Sequence, residues 1–170
     1  MNYFIRLIIL TFLFALTVNL LSANEKTGFI DVEYIIQNSI IGKKALDKVQ
    51  VLNKKNVNQL EKKNKILNEL ETNIRSKKNI ISEDEFNKEV LAFQQKIKDF
   101  TSEKDQTVKE FNQFRKQELE KILKLFRPII SNYMKENSIN ILFDSKNIFM
   151  GNNDTNFTED LLKKINIEVK

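Results

Sequence analysis

Hydrophobic residues follow three rhythms along this chain, and each rhythm predicts a different element. From Leu7 to Leu21 they are almost continuous. Around Phe29–Val32, Ile139–Asp144 and Asn147–Met150 they come in short runs of β-branched, aromatic and large apolar residues, which read as strands, the last two flanking a Ser145-Lys146 turn. Between Lys43 and Asn137 they recur at alternating steps of three and four, the helical period. Smaller signals fill the gaps. Glu33–Ser39 carries Tyr34, Ile35 and Ile36 as a short helix, Gly42 reads as a break, and Thr158 reads as the cap of a last helix with Leu161, Leu162 and Ile165.

The long periodic segment divides in the middle. Asn79-Ile80-Ile81 interrupts it, and Ser82-Glu83-Asp84-Glu85 has the form of a capping box, with Ser as N-cap and Glu three residues on. The first helix carries Leu46, Val49, Leu60, Leu67, Leu70 and Ile74, interrupted by Asn53, Asn56 and Lys63. The second carries Phe86, Val90, Phe93, Ile97, Phe100, Phe111 and Phe114, interrupted by Lys104 and Thr107. Folding the chain back at residue 80 pairs residues whose numbers add to 160, so that Leu67 meets Phe93 and Leu46 meets Phe114. Apolar positions then meet apolar ones almost throughout, as an antiparallel helical hairpin needs. Its length is roughly 50 Å at 1.5 Å per residue, so it should project as an arm. Polar layers at Asn53 and Asn56 predict a flexible waist, and Pro128 should kink or divide the second helix.

Composition narrows the chemistry. The 170 residues include no Cys and no His, which removes disulfides, thiolate metal sites and imidazole acid–base catalysis. With three Gly and one Pro there is little loop in which to build a phosphate cradle. No catalytic, cofactor-binding or metal-binding residue is expected. Asn152–Asn156 alternates oxygen-bearing side chains but lacks the Gly and closing Glu of a calcium loop, so it reads as a polar turn. Asp31, Glu33 and Asp144 read as strand-end caps rather than paired catalytic acids.

Met1–Arg6, the apolar Leu7–Leu21 and Ser22-Ala23 together have the layout of a cleaved secretory signal peptide over residues 1–23. The alternative is an uncleaved anchor, because the uncharged run is near the short limit of a spanning helix. The net charge is +5, unevenly spread. Lys43–Lys78 holds 11 basic and 4 acidic residues, whereas Glu83–Glu136 holds 11 of each. Arg75, Lys77 and Lys78 sit at the arm's tip beside Ile80 and Ile81, a candidate contact for acidic clients or anionic lipid headgroups. A solvated Lys-rich helix from a biased composition is the plain alternative. Export makes nucleic acid an unexpected partner.

The domain reading is therefore a signal peptide at 1–23, a β-rich body at 24–42 and 138–170, and a helical arm at 43–137: a mainly α fold with a small β body. So few short strands cannot bury a sheet alone. Assembly through them is expected, with Phe29, Ile30, Ile141 and Phe143 at subunit contacts.

Thr27-Gly28-Phe29-Ile30-Asp31-Val32, Ile35-Ile36, Ser39 and Gly42-Lys43 resemble the opening of the Skp/OmpH family of periplasmic chaperones. Ile139–Asn147 with Phe149-Met150, and Phe157–Asn166, are similar to its closing segments. The resemblance spans the whole chain. It implies a homotrimer whose short strands form a β-barrel and whose arms enclose unfolded outer-membrane proteins in the periplasm, without ATP, cofactor or catalytic residue. The competing reading is a structural coiled-coil protein anchored in the inner membrane by Leu7–Leu21.

Overall fold

The computed structural model describes residues 26–169. The signal-peptide or anchor segment lies outside the described residues. Among them, no helix is long and apolar enough to cross a membrane. The chain is mainly helical with a small two-stranded sheet. Strand β1 (Lys26–Ile30) leads into helix α1 (Val32–Asn38), then α2 (Ile40–Lys77), α3 (Glu83–Glu136), strand β2 (Ile139–Asp144) and α4 (Thr158–Glu168). Short 3-10 turns cover Ser145–Asn147 and Asn153–Thr155.

Local chemistry sets most boundaries. Asp31 caps α1 by accepting from the Tyr34 N–H at 2.8 Å. Ser39 ends α1 and caps α2, its hydroxyl accepting from the Gly42 N–H at 3.1 Å. Gly42 is therefore no break. It lies buried in the first turn of α2, where a Cβ would stand 1.8 Å from the Ile36 carbonyl oxygen. Only a residue without a Cβ lets α1 and α2 meet this closely. The capping box at Ser82 and Glu85 forms as expected. Pro128 does not divide α3, which runs through it for 54 residues. Phe126 and Ile129 on either side are locked into the core, and this packing outweighs the missing hydrogen bond.

The two strands run parallel, Thr27 opposite Ile141 and Phe29 opposite Phe143. Parallel neighbours require a crossover, and here the crossover is α1 and the whole hairpin of α2 and α3. The expected third strand at Asn147–Met150 is absent among the described residues. Asn147 ends a 3-10 turn capped by Asp144, which accepts from the Lys146 N–H at 3.1 Å, and Ile148–Met150 continue from it without strand pairing. Thr158 does not cap α4. Its hydroxyl instead accepts from the Asp31 N–H at 2.9 Å, tying α4 to the end of β1.

The core draws on every element. Ile30, Ile35, Ile36 and Ala45 pack with Ile122, Phe126, Ile129 and Tyr133 of α3, Ile139 of β2, and Phe157, Leu161, Leu162 and Ile165. Tyr133 meets Phe157 edge-on with ring centroids 6.0 Å apart, a favourable aromatic geometry. Asn166 accepts from the Ile40 N–H at 2.8 Å, so α4 also holds the start of α2. The hairpin is thus rooted in the core through both of its helices.

Candidate functional site

Beyond its root the hairpin is thin. On α2 the buried residues after Ala45 are Leu67 and Ile74; on α3 none precedes Glu118. Between these points the seam is half-buried at best, and the middle of the arm lacks the packing that would stiffen it. At the expected waist the composition of the seam differs from the expectation. Leu52 rather than Asn53 turns toward the partner helix, and Ala45 rather than Leu46. A straight helix drifts about 20° per heptad against a strict 3.5-residue repeat, so the pattern that fits the distal half is one residue out at the root.

The register also differs from the expectation. Interhelical ion pairs join Lys48 to Glu118, Lys63 to Glu103 and Lys77 to Glu89, and the two numbers add to 166 in every case. The helices are therefore offset by about one heptad from the alignment that adds to 160. Leu67 shares a cleft with Phe100, in place of the expected Phe93. Seam positions are almost unchanged, because shifting a heptad pattern by one repeat superposes it on itself.

Two grooves open along the arm. At the root, Ile36, Ala45, Leu46, Val49, Leu119 and Ile122 line a largely apolar groove of about 560 Å³. Glu118 stands in its wall, 7% exposed, paired with Lys121 and Lys48. The Lys121 hydrogen bond, helped by both lysine charges, holds this carboxyl below the usual range despite its desolvation. Farther out, Ile66, Leu67, Leu70 and Phe100 line a cleft of about 290 Å³ beside the Lys63–Glu103 pair. Sequence reasoning missed Leu119 and Ile66, which fall off the seam; their signal was large apolar residues one position from seam sites.

At the tip the basic candidates are mostly compensated. Arg75 pairs with Glu71 at 2.7 Å and Lys77 with Glu89 at 2.8 Å. Lys78 and Ile80 are left outward, Ile80 at 78% exposure, while Ile81 is half-buried. Glu83, Asp84 and Glu85 lie in the first turn of α3. The local charge excess is thus smaller than the count over α2 suggests.

The sheet has one covered and one open face. Gly28, Ile30 and Leu142 face the core, where a Cβ on Gly28 would strike the Phe157 ring at 2.2 Å. Phe29, Ile141 and Phe143 share the other face, with Ile141 and Phe143 exposed and Phe29 partly covered by the Gly151 backbone. Three of the four expected contact residues therefore come together. Ile30 does not join them: at 4% exposure it belongs to its own chain's core. Adjacent residues in a strand point to opposite faces, so Phe29 and Ile30 could not share one surface. Beyond β2, Phe149 is 100% exposed and Met150 83%, both in the segment misread as a strand. The outer edge of β2 has no strand partner among the described residues.

A family model described as outer membrane protein (OmpH-like) matches residues 26–165. The chain belongs to the OmpH-like family. Its fold is similar to that of a Caulobacter crescentus protein described as an OmpH-like outer membrane chaperone, with a TM-score of 0.76 and 14% sequence identity. That likeness covers 85% of this chain and 86% of the other. A search of curated proteins gives no match. Membership therefore rests on the family model, and the solved structure adds the shared fold.

Proposed function

We propose that the protein is an ATP-independent holdase of the periplasm that binds unfolded outer-membrane proteins between the arms of a homotrimer. The observation carrying this reading is an arm that leaves apolar side chains unpacked along its length. Leu46, Val57, Ile66, Leu91, Val108 and Leu119 are all 42–65% exposed, interspersed with charge. Scattered apolar contacts of this kind suit many weak interactions with an unfolded chain and no fixed ligand. Membership of the OmpH-like family supports the same reading. Binding then protects by mass action, without a chemical step. Lys78 and Ile80 are a secondary contact for acidic or lipid-bound clients.

Three arms around one client raise its effective concentration at each contact, which is what the open sheet face and free β2 edge would serve. Export by cleavage after Ala23 would leave Asn24 as the first residue. The test is light scattering of an unfolded outer-membrane β-barrel protein diluted from urea. Suppression should saturate near three chains per client, with no effect of added ATP. Aggregation that is unaffected by excess chain removes the reading.

A further inference from the structure

The groove at the root of the arm, at about 560 Å³, is nearly twice the size of the distal cleft and within the ~300–1,000 Å³ of small-molecule sites. Its lining is graded along its length. At the body end lie Ile36, Ala45 and Ile122, each at most 9% exposed. Val49 and Leu119 carry the apolar wall outward, and Asn112, Arg115 and Lys116 stand at the arm end. Arg115 has no ion pair among the described residues, and Lys116 reaches only Glu120, at 3.9 Å between exposed side chains. The one acidic lining residue, Glu118, is already answered by Lys121 and, from α2, by Lys48. An anion at the outer end therefore meets two exposed cations and no unanswered acid. From Asn112 to Ile122 the groove follows α3 for roughly 15 Å at 1.5 Å per residue, the span of about twelve extended single bonds.

We propose that this groove binds one free fatty acid per chain, its tail against Ile36, Ala45 and Ile122 and its carboxylate on Arg115 and Lys116. The tail gains by leaving water at the apolar end, and a guanidinium takes a carboxylate through two parallel hydrogen bonds. A neutral alkyl chain would leave both cations unanswered, and an alkylammonium would meet like charge. A phospholipid would have to leave its bilayer to place a tail between α2 and α3. The bound tail touches α1, α2 and α3 together, where the arm leaves the body, and so braces that junction. The site lies within one chain, so it stands independently of the assembly and client readings above.

The test is calorimetric titration of the purified protein with dodecanoate below its micelle concentration. Binding should saturate at one dodecanoate per chain. The thermal midpoint should rise with dodecanoate, because a ligand that binds only the folded chain stabilises it. Dodecan-1-ol and dodecyltrimethylammonium should bind at least about tenfold more weakly. Arg115→Gln with Lys116→Gln should weaken dodecanoate roughly tenfold and leave the helical circular dichroism unchanged, since both side chains are exposed. Val49→Trp, which fills the groove, should remove the site. Vesicles of anionic phospholipid should not displace dodecanoate. Equal binding of the three probes, uptake without saturation or a falling midpoint would mark adsorption of a surfactant and overturn the site. Displacement by the vesicles, or a double variant that binds as the parent does, overturns the fatty-acid assignment.

Discussion

Single atoms decide how the arm leaves the body. At Gly42 an added methyl would stand 1.8 Å from the Ile36 oxygen, so Gly42→Ala should destabilise the protein despite its better helix propensity. Overpacking of this kind costs about 1–3 kcal/mol, visible as a lower urea midpoint. Pro128 is the opposite case: it is exposed and denies α3 one hydrogen bond. Pro128→Ala should stabilise the protein by up to about 3 kcal/mol, visible as a higher urea midpoint. Glu118 adds a pH dependence. Its pKa is depressed in the folded protein by Lys121 and Lys48, so its contribution is complete above the unfolded carboxylate pKa and is lost as pH falls through the folded value. Glu118→Gln should therefore flatten the acid limb of a stability profile while leaving alkaline behaviour unchanged. The caps at Asp31, Ser82 and Asp144 were legible because they act within three residues. Thr158 was not, because its hydroxyl serves Asp31, which is 127 positions away.

At the scale of elements, the hairpin and its seam were legible and its alignment was not. Heptad periodicity fixes which side of each helix is shielded, but it repeats every seven residues and cannot see a shift of one repeat. The information that breaks this degeneracy lies in long charged side chains beside the seam, here Lys63–Glu103 and Lys77–Glu89. Each such pair is worth only roughly 0–1 kcal/mol at an exposed site, so several must agree before a register is selected. The alignment makes a measurable difference. Phe100→Ala should speed amide exchange around Leu67, which lines the same cleft, whereas Phe93→Ala should act nearer Ile74. A full core deletion costs about 3–5 kcal/mol. Both phenylalanines are only half-buried, so the effect should be smaller and confined to the distal arm. Loss of protection at Leu67 from Phe93→Ala and not from Phe100→Ala would restore the alignment that adds to 160.

For the whole molecule, the two faces of the sheet would divide folding from the proposed assembly. Ile30 and Ile141 are both apolar strand residues, yet they lie on opposite faces of the sheet. Ile30 is fixed against the core, so Ile30→Asp would bury a carboxylate with no partner and should abolish the folded monomer. Ile141 is 44% exposed on the open face, so Ile141→Asp should keep the monomer's helical circular dichroism while removing the slow-sedimenting to fast-sedimenting shift of assembly. The holdase reading then carries a quantitative consequence. If clients are held by the joint action of several weakly binding arms, losing assembly removes the effective-concentration gain, which reaches 10²–10⁴ for well-matched linkages. Ile141→Asp should therefore lose aggregation suppression at concentrations where the parent chain saturates, and regain part of it only at large excess. An Ile141→Asp monomer as potent as the parent would show that one arm suffices, and that the open sheet face serves some purpose other than gathering arms around a client.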